Sequence, residues 1–150
     1  MRIGVVRLGI FAIFIVVGIV TYVFRDRLSS DAGGLKLGEC FDDPPGVARI
    51  TDVQHHPCTE AHTAEVVFLG SLPDGDSTFP TTTTVQGWVR ANCVPAWSAY
   101  TGKDFDSDLT LALGFYQPSP ESWGTGDRKV VCYASREDLA PMTTSVRAAR

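Results

Sequence analysis

A run of seventeen residues without a charge, LGIFAIFIVVGIVTYVF at positions 8 to 24, limits this chain more than any other feature. Thr21 is its one polar side chain. At about 1.5 Å per residue the run spans about 26 Å as a helix, near the short end of what crosses a hydrocarbon core. Extending it back to Ile3 takes in Arg7, whose stem can lie along lipid while the guanidinium reaches the headgroups. Because the run is apolar on every face, lipid suits it better than the surface of a soluble core. The expectation is one transmembrane helix over about 3–24, within an anchor at 1–27. A cleaved signal peptide is the rival reading. Its apolar core is usually about 7 to 15 residues, with a small-x-small site soon after. Here Arg25, Asp26 and Arg27 follow directly, and the nearest such site is Ser30-Asp31-Ala32.

Positive charge alone does not orient this helix, because Arg2 and Arg7 precede it and Arg25 and Arg27 follow. The cysteines break the tie. Cys40, Cys58, Cys93 and Cys132 all lie after the apolar run, an even set in a small domain, which suits an oxidising compartment and two disulfides. The N-terminus is therefore expected in the cytoplasm and the rest outside the cell membrane. From residue 28 onward nine Lys and Arg stand against sixteen Asp and Glu, a net −7. An acidic domain is a poor match for nucleic acid or anionic lipid, both of which need a basic face.

Residues 28–34, LSSDAGG, have the composition of a short flexible linker. Residues 35–147 then form one small extracytoplasmic domain without internal repeats, and 148–150 a frayed tail. Strands are expected at 48–53 (ARITDV), 64–70 (AEVVFLG), 109–116 (LTLALGFY) and 129–134 (KVVCYA). Between the second and third, Val85, Trp88, Val89, Asn92, Cys93, Ala96, Trp97 and Tyr100 repeat at helical spacing. Thr83 and Gln86 fit a capping box at its start, and Pro95 predicts a kink or a restart. Four strands and one main helix make an α+β domain.

The stretch HHPCTEAHTAEVV, 55 to 67, gathers three histidines, one cysteine and two glutamates. As a zinc site, His62 and Glu65 could be joined by His55 or His56. That pairing needs a helix, whereas 64–69 reads as extended, and in a strand positions 62 and 65 point to opposite faces. No metal site is expected. As a thiol enzyme, Cys58 would need a free thiolate with His62 as its base. Four cysteines allow three pairings, and the sequential one would close loops of about 19 and 40 residues.

"LKLGECFDD" at 35–43 and "VQHHPCTEAHTAEVV" at 53–67 resemble the septum-formation domain family of actinobacterial membrane proteins. "NCVPAWSAYTG" at 92–102 and "PSPESWGTGDRKVVC" at 118–132 extend the likeness in order, with the cysteines in register. The family's closing motif has its echo in "TTSVR" at 143–147, except that Thr144 stands where glycine is usual. The resemblance implies a membrane-tethered extracytoplasmic module associated with cell division, framed by paired cysteines. It implies that Cys58, His62 and Glu65 belong to the family motif and that Pro57 shapes its turn. It brings no catalytic residue and no cofactor.

Other features carry less. Asp104, Asp106 and Asp108 alternate as a calcium loop begins, but the sixth and twelfth places hold Leu109 and Phe115 rather than glycine and glutamate. Trp123, in "SWGTGD", is expected in a partly exposed loop and is the best single contact candidate. The function expected is non-enzymatic: an interaction module of the cell envelope that binds a protein partner in the division or wall machinery. The alternative is an envelope hydrolase or a thiol or metal enzyme centred on Cys58, His62 and Glu65.

Overall fold

The structure is a computed structural model, and it describes residues 30–31, 34–44, 52–74 and 78–149. The expected membrane helix at 3–24 lies outside the described residues, as does most of the expected strand at 48–53. Among the described residues no helix is long and apolar enough to cross a membrane.

The strands are β1 (Ser30–Asp31), β2 (Cys40–Asp42), β3 (Asp52–His56), β4 (Ala64–Ser71), β5 (Leu111–Tyr116) and β6 (Lys129–Arg136). They form an antiparallel sheet in the order β1-β3-β2-β4-β6-β5. Five strands make its body, and two-residue β1 pairs along the β3 edge. A long helix, α1 (Thr82–Thr101), crosses one face, and a short one, α2 (Pro120–Gly124), precedes β6.

β6 lies between β4 and β5, and its side chains are apolar both ways. Val130, Cys132 and Ala134 face the helical layer, while Val131 and Tyr133 face a second core on the opposite side. A strand buried on both faces reads as a continuous apolar run, which is how KVVCYA stands out. β4 serves both cores by alternation, with Val66 in one and Val67 in the other, and a register shift between Val66 and Phe68 lets Val67 and Phe68 pack on the same core.

α1 buries Val85, Val89, Cys93, Trp97 and Thr101, a stripe at four-residue spacing. Trp97 is fully buried and meets Phe105 edge-on at 5.3 Å. The opposite core holds Leu35, Phe41, Val53, Ala64, Val66, Val131 and Tyr133, with the Phe41 and Tyr133 rings T-shaped at 5.5 Å.

Several expectations are corrected. The helix starts two residues before the expected capping box: Thr81 is the N-cap, its hydroxyl accepting from the Thr84 amide at 3.2 Å. Pro95 does not end it. Pro95 and Ala91 both sit on its exposed side, so water can serve the carbonyl that loses its i+4 donor. Gly102 closes it at φ 70, its N–H donating to the Ser98 carbonyl at 2.9 Å. The three-residue strand β2 is too short for periodicity to reveal, and β3 runs to His56, past the end of the expected strand. Two residues of the expected linker pair with β3. In the expected frayed tail, the Ala148 N–H donates to the Tyr100 carbonyl at 2.9 Å.

Candidate functional site

Cys58 sits in a turn after β3, in which the Glu60 N–H donates to the Pro57 carbonyl at 2.8 Å. Its sulfur is bonded to Cys40 on β2, across 5.3 Å between Cα atoms. Cys93 on α1 is bonded to Cys132 on β6, which staples the helix to the sheet. The pairing is sequential, and no cysteine among the described residues is free. A sulfur held in a disulfide offers no thiolate, so in this oxidised form Cys58 lacks what a nucleophile needs.

The three histidines go three separate ways. His55 Nδ1 lies 2.7 Å from Oε1 of Glu39, the residue before β2, and His56 Nε2 lies 2.9 Å from Asp42 Oδ2 across the β2–β3 pair. His62 is wholly buried. Its Nδ1 is 2.8 Å from the Glu60 carbonyl, which can only accept, so that nitrogen carries the proton. Its backbone is fixed too, exchanging N–H···O bonds with Met142 at 2.9 and 2.7 Å. His62 Nε2 is left without a partner among the described residues.

Glu65 lies inside β4 with 1% exposure. A buried carboxylate is costly unless its oxygens are served. Oε1 accepts from the Tyr100 hydroxyl at 2.6 Å and the Ser145 hydroxyl at 2.7 Å, and Oε2 from the Val146 N–H at 2.7 Å. These partners lie on α1 and in the C-terminal segment, not in the loop closed by Cys58. Desolvation, with the Glu65 hydrogen bond second, pushes the Tyr100 hydroxyl from 10.0 up to about 12. The Arg147 guanidinium stands over the Tyr100 ring at 4.7 Å.

One donor each from Cys40, His62 and Glu65 falls within 4.8 Å of the others. This corrects the expectation that positions 62 and 65 point apart: His62 precedes β4, in an isolated bridge to Met142, so strand alternation does not separate it from Glu65, and Cys40 is supplied by β2. The donors of this cluster are largely committed: the Cys40 sulfur to Cys58, and both Glu65 oxygens to the three groups named above.

A second carboxylate was also illegible in the sequence. Asp43 accepts from Tyr116 at 2.7 Å and Tyr133 at 2.8 Å, and its amide donates to Thr63 at 2.8 Å. Burial first, then the Asp43 carboxylate, raises both hydroxyls well above the usual tyrosine range. An open cleft of about 580 Å³ adjoins it, lined by Asp42, Asp43, Gln54, Thr63 and Pro141 among others.

Trp123 corrects an expectation. It is 5% exposed on α2, edge-on to Phe79 at 5.9 Å and under the Arg128 guanidinium at 3.6 Å. The "SWGTGD" stretch opens with a capping box at Ser119 and Ser122 that turns this tryptophan into the core, so it offers no contact surface. In the acidic loop, Asp108 bonds Lys103 Nζ at 2.7 Å and accepts from the Thr110 and Leu111 amides, so it shapes the entry to β5.

The family model described as "Septum formation" matches residues 35–149. This chain belongs to the septum-formation family. The match spans both disulfides, the His62 and Glu65 positions, and the C-terminal residues that close over Glu65. No curated protein and no solved structure matches the chain. Within this septum-formation domain, the residues singled out by sequence are chiefly bonded to one another or to the scaffold.

Proposed function

We propose that this septum-formation domain is an extracytoplasmic interaction module, held at the cell membrane by the apolar segment 3–24, that acts in division by binding a protein partner. The observation that carries the reading is the engagement of Cys58 with Cys40. With that sulfur in a disulfide and Glu65 bonded to Tyr100, Ser145 and Val146, the motif resembling a catalytic cluster serves as scaffold. Membership in the septum-formation family supports the link to division. The four cysteines after the apolar run support an oxidising location, and the acidic balance of the domain argues for a protein partner rather than nucleic acid.

The test is localisation of a fluorescent fusion of the full chain, with crosslinking in the intact envelope. Enrichment at the division site, and a crosslinked division or wall protein, support the proposal. A uniform membrane signal in dividing cells overturns the division role, and a free Cys58 thiol in the protein isolated without reductant reopens the enzymatic alternative.

A further inference from the structure

Among the described residues β5 is the outer strand of the sheet, bonded to β6 on one side only. Its hydrogen-bond phase follows from two contacts. The Glu137 N–H donates to the Thr110 carbonyl at 3.1 Å, so the bonded pairs with β6 are at 112, 114 and 116 of β5. Leu111, Leu113 and Phe115 therefore turn their N–H and C=O groups away from the sheet. In agreement, the Leu111 N–H is met from outside by Asp108 Oδ1 at 2.8 Å. The amides of Leu113 and Phe115 have no such cap among the described residues.

An open edge is ordinarily guarded by lysine, proline or a bulge. Here Leu109 to Pro120 holds no charged residue, and the first proline is Pro118, past the strand. Leu109, at its entry, is 86% exposed. In a domain with net −7 this is a neutral window along which two copies can meet without facing like charges.

We propose that the β5 edge pairs with the β5 edge of a second copy of this chain, antiparallel about a two-fold axis at Gly114. In that register each Leu113 lies opposite the Phe115 of the other copy, and each such pair exchanges two N–H···O bonds. The Gln117 N–H falls opposite the Leu111 carbonyl, while the Leu111 N–H stays with Asp108. The open groups sit symmetrically about Gly114, which is what a self-complementary contact requires and a foreign strand does not. Gly114 suits the axis. The Tyr133 ring lies 2.2 Å from where a Cβ would stand, so the position holds no side chain at the point of closest approach. This inference does not depend on the division role.

The experiment uses the full chain in detergent micelles. Sedimentation equilibrium across a concentration series reads the association, and amide exchange of the same samples reads its location. The expected result is a reversible dimer in which exchange at Leu113 and Phe115 slows with concentration while Leu111 is unchanged. Leu113→Lys should weaken association by about tenfold or more. Gln117→Pro deletes an outward N–H at an exposed position and should weaken it roughly tenfold through two lost bonds per dimer, with the circular dichroism of the domain retained. A monomer at every concentration overturns the proposal. So does a dimer, joined through the anchor for example, that leaves the Leu113 and Phe115 amides unprotected. Protection that appears only with a different polypeptide overturns the second copy as the occupant.

Discussion

Glu65 is the residue on which the two halves of the domain converge. Its carboxylate, 1% exposed, gathers Tyr100 from the helix and Ser145 and Val146 from the C-terminal segment. Glu65→Ala removes the acceptor and strands three donors, one of them a backbone N–H. The expected loss is about 3 kcal/mol, read as a clear fall in Tm. A melt unchanged within error would mean that these bonds add nothing net. The tyrosines supply a second expectation. The Tyr100 hydroxyl is raised from 10.0 to about 12, and those of Tyr116 and Tyr133 are raised further. A folded-state pKa above the unfolded value means stability fully present below pH 10 and lost as pH rises through the folded value. Denaturant midpoints should hold steady up to pH 10 and then decline toward pH 12 and beyond. In absorbance titration the phenolate signal of these three tyrosines should emerge above the normal range.

Among the elements, α1 is tied to the sheet twice, by its buried stripe and by the Cys93–Cys132 bond. In the chain-entropy account a closed loop of about 40 residues stabilises by about 4 kcal/mol, against about 3 for the Cys40–Cys58 loop of about 19. Replacing Cys93 and Cys132 together by alanine should therefore cost more than replacing Cys40 and Cys58. The order of the two denaturant midpoints checks it. The sequence announced the elements with strong period. The alternation of LTLALGFY found β5, the apolar run KVVCYA found β6, and the spacing from Val85 to Tyr100 found α1. It did not announce β2, because three residues carry no period, nor the closure of the C-terminal segment over Glu65. That closure depends on partners about eighty positions apart, and local pattern is silent on them. Trp123 was misplaced for a related reason: Gly and Ser around it read as an open loop, while the Ser119–Ser122 capping box folds them into a helix turn. At the site, strand spacing set His62 and Glu65 on opposite faces, whereas the structure brings a donor atom of each within 4.8 Å and stands Cys40 beside both.

Taken whole, the molecule is a septum-formation domain whose polar motif is turned inward. Its surface carries the acidic cleft beside Asp43 and the uncharged edge of β5. If the cysteines are oxidised in the cell as in the structure, mass spectrometry of protein alkylated before denaturation and reduction should find Cys40–Cys58 and Cys93–Cys132 peptides and no alkylated cysteine. Four alkylated thiols would remove the basis for an oxidising location. The clasp on Glu65 has one more consequence, which concerns order in time. Ser145 and Val146 leave the ribosome some eighty residues after the carboxylate they serve. Until then a buried acid on β4 has only Tyr100 for company. A nascent chain stalled before Ser145 emerges should stay protease-sensitive, and one in which Ser145 and Val146 have both emerged should resist, so the domain is completed in a single late step rather than strand by strand.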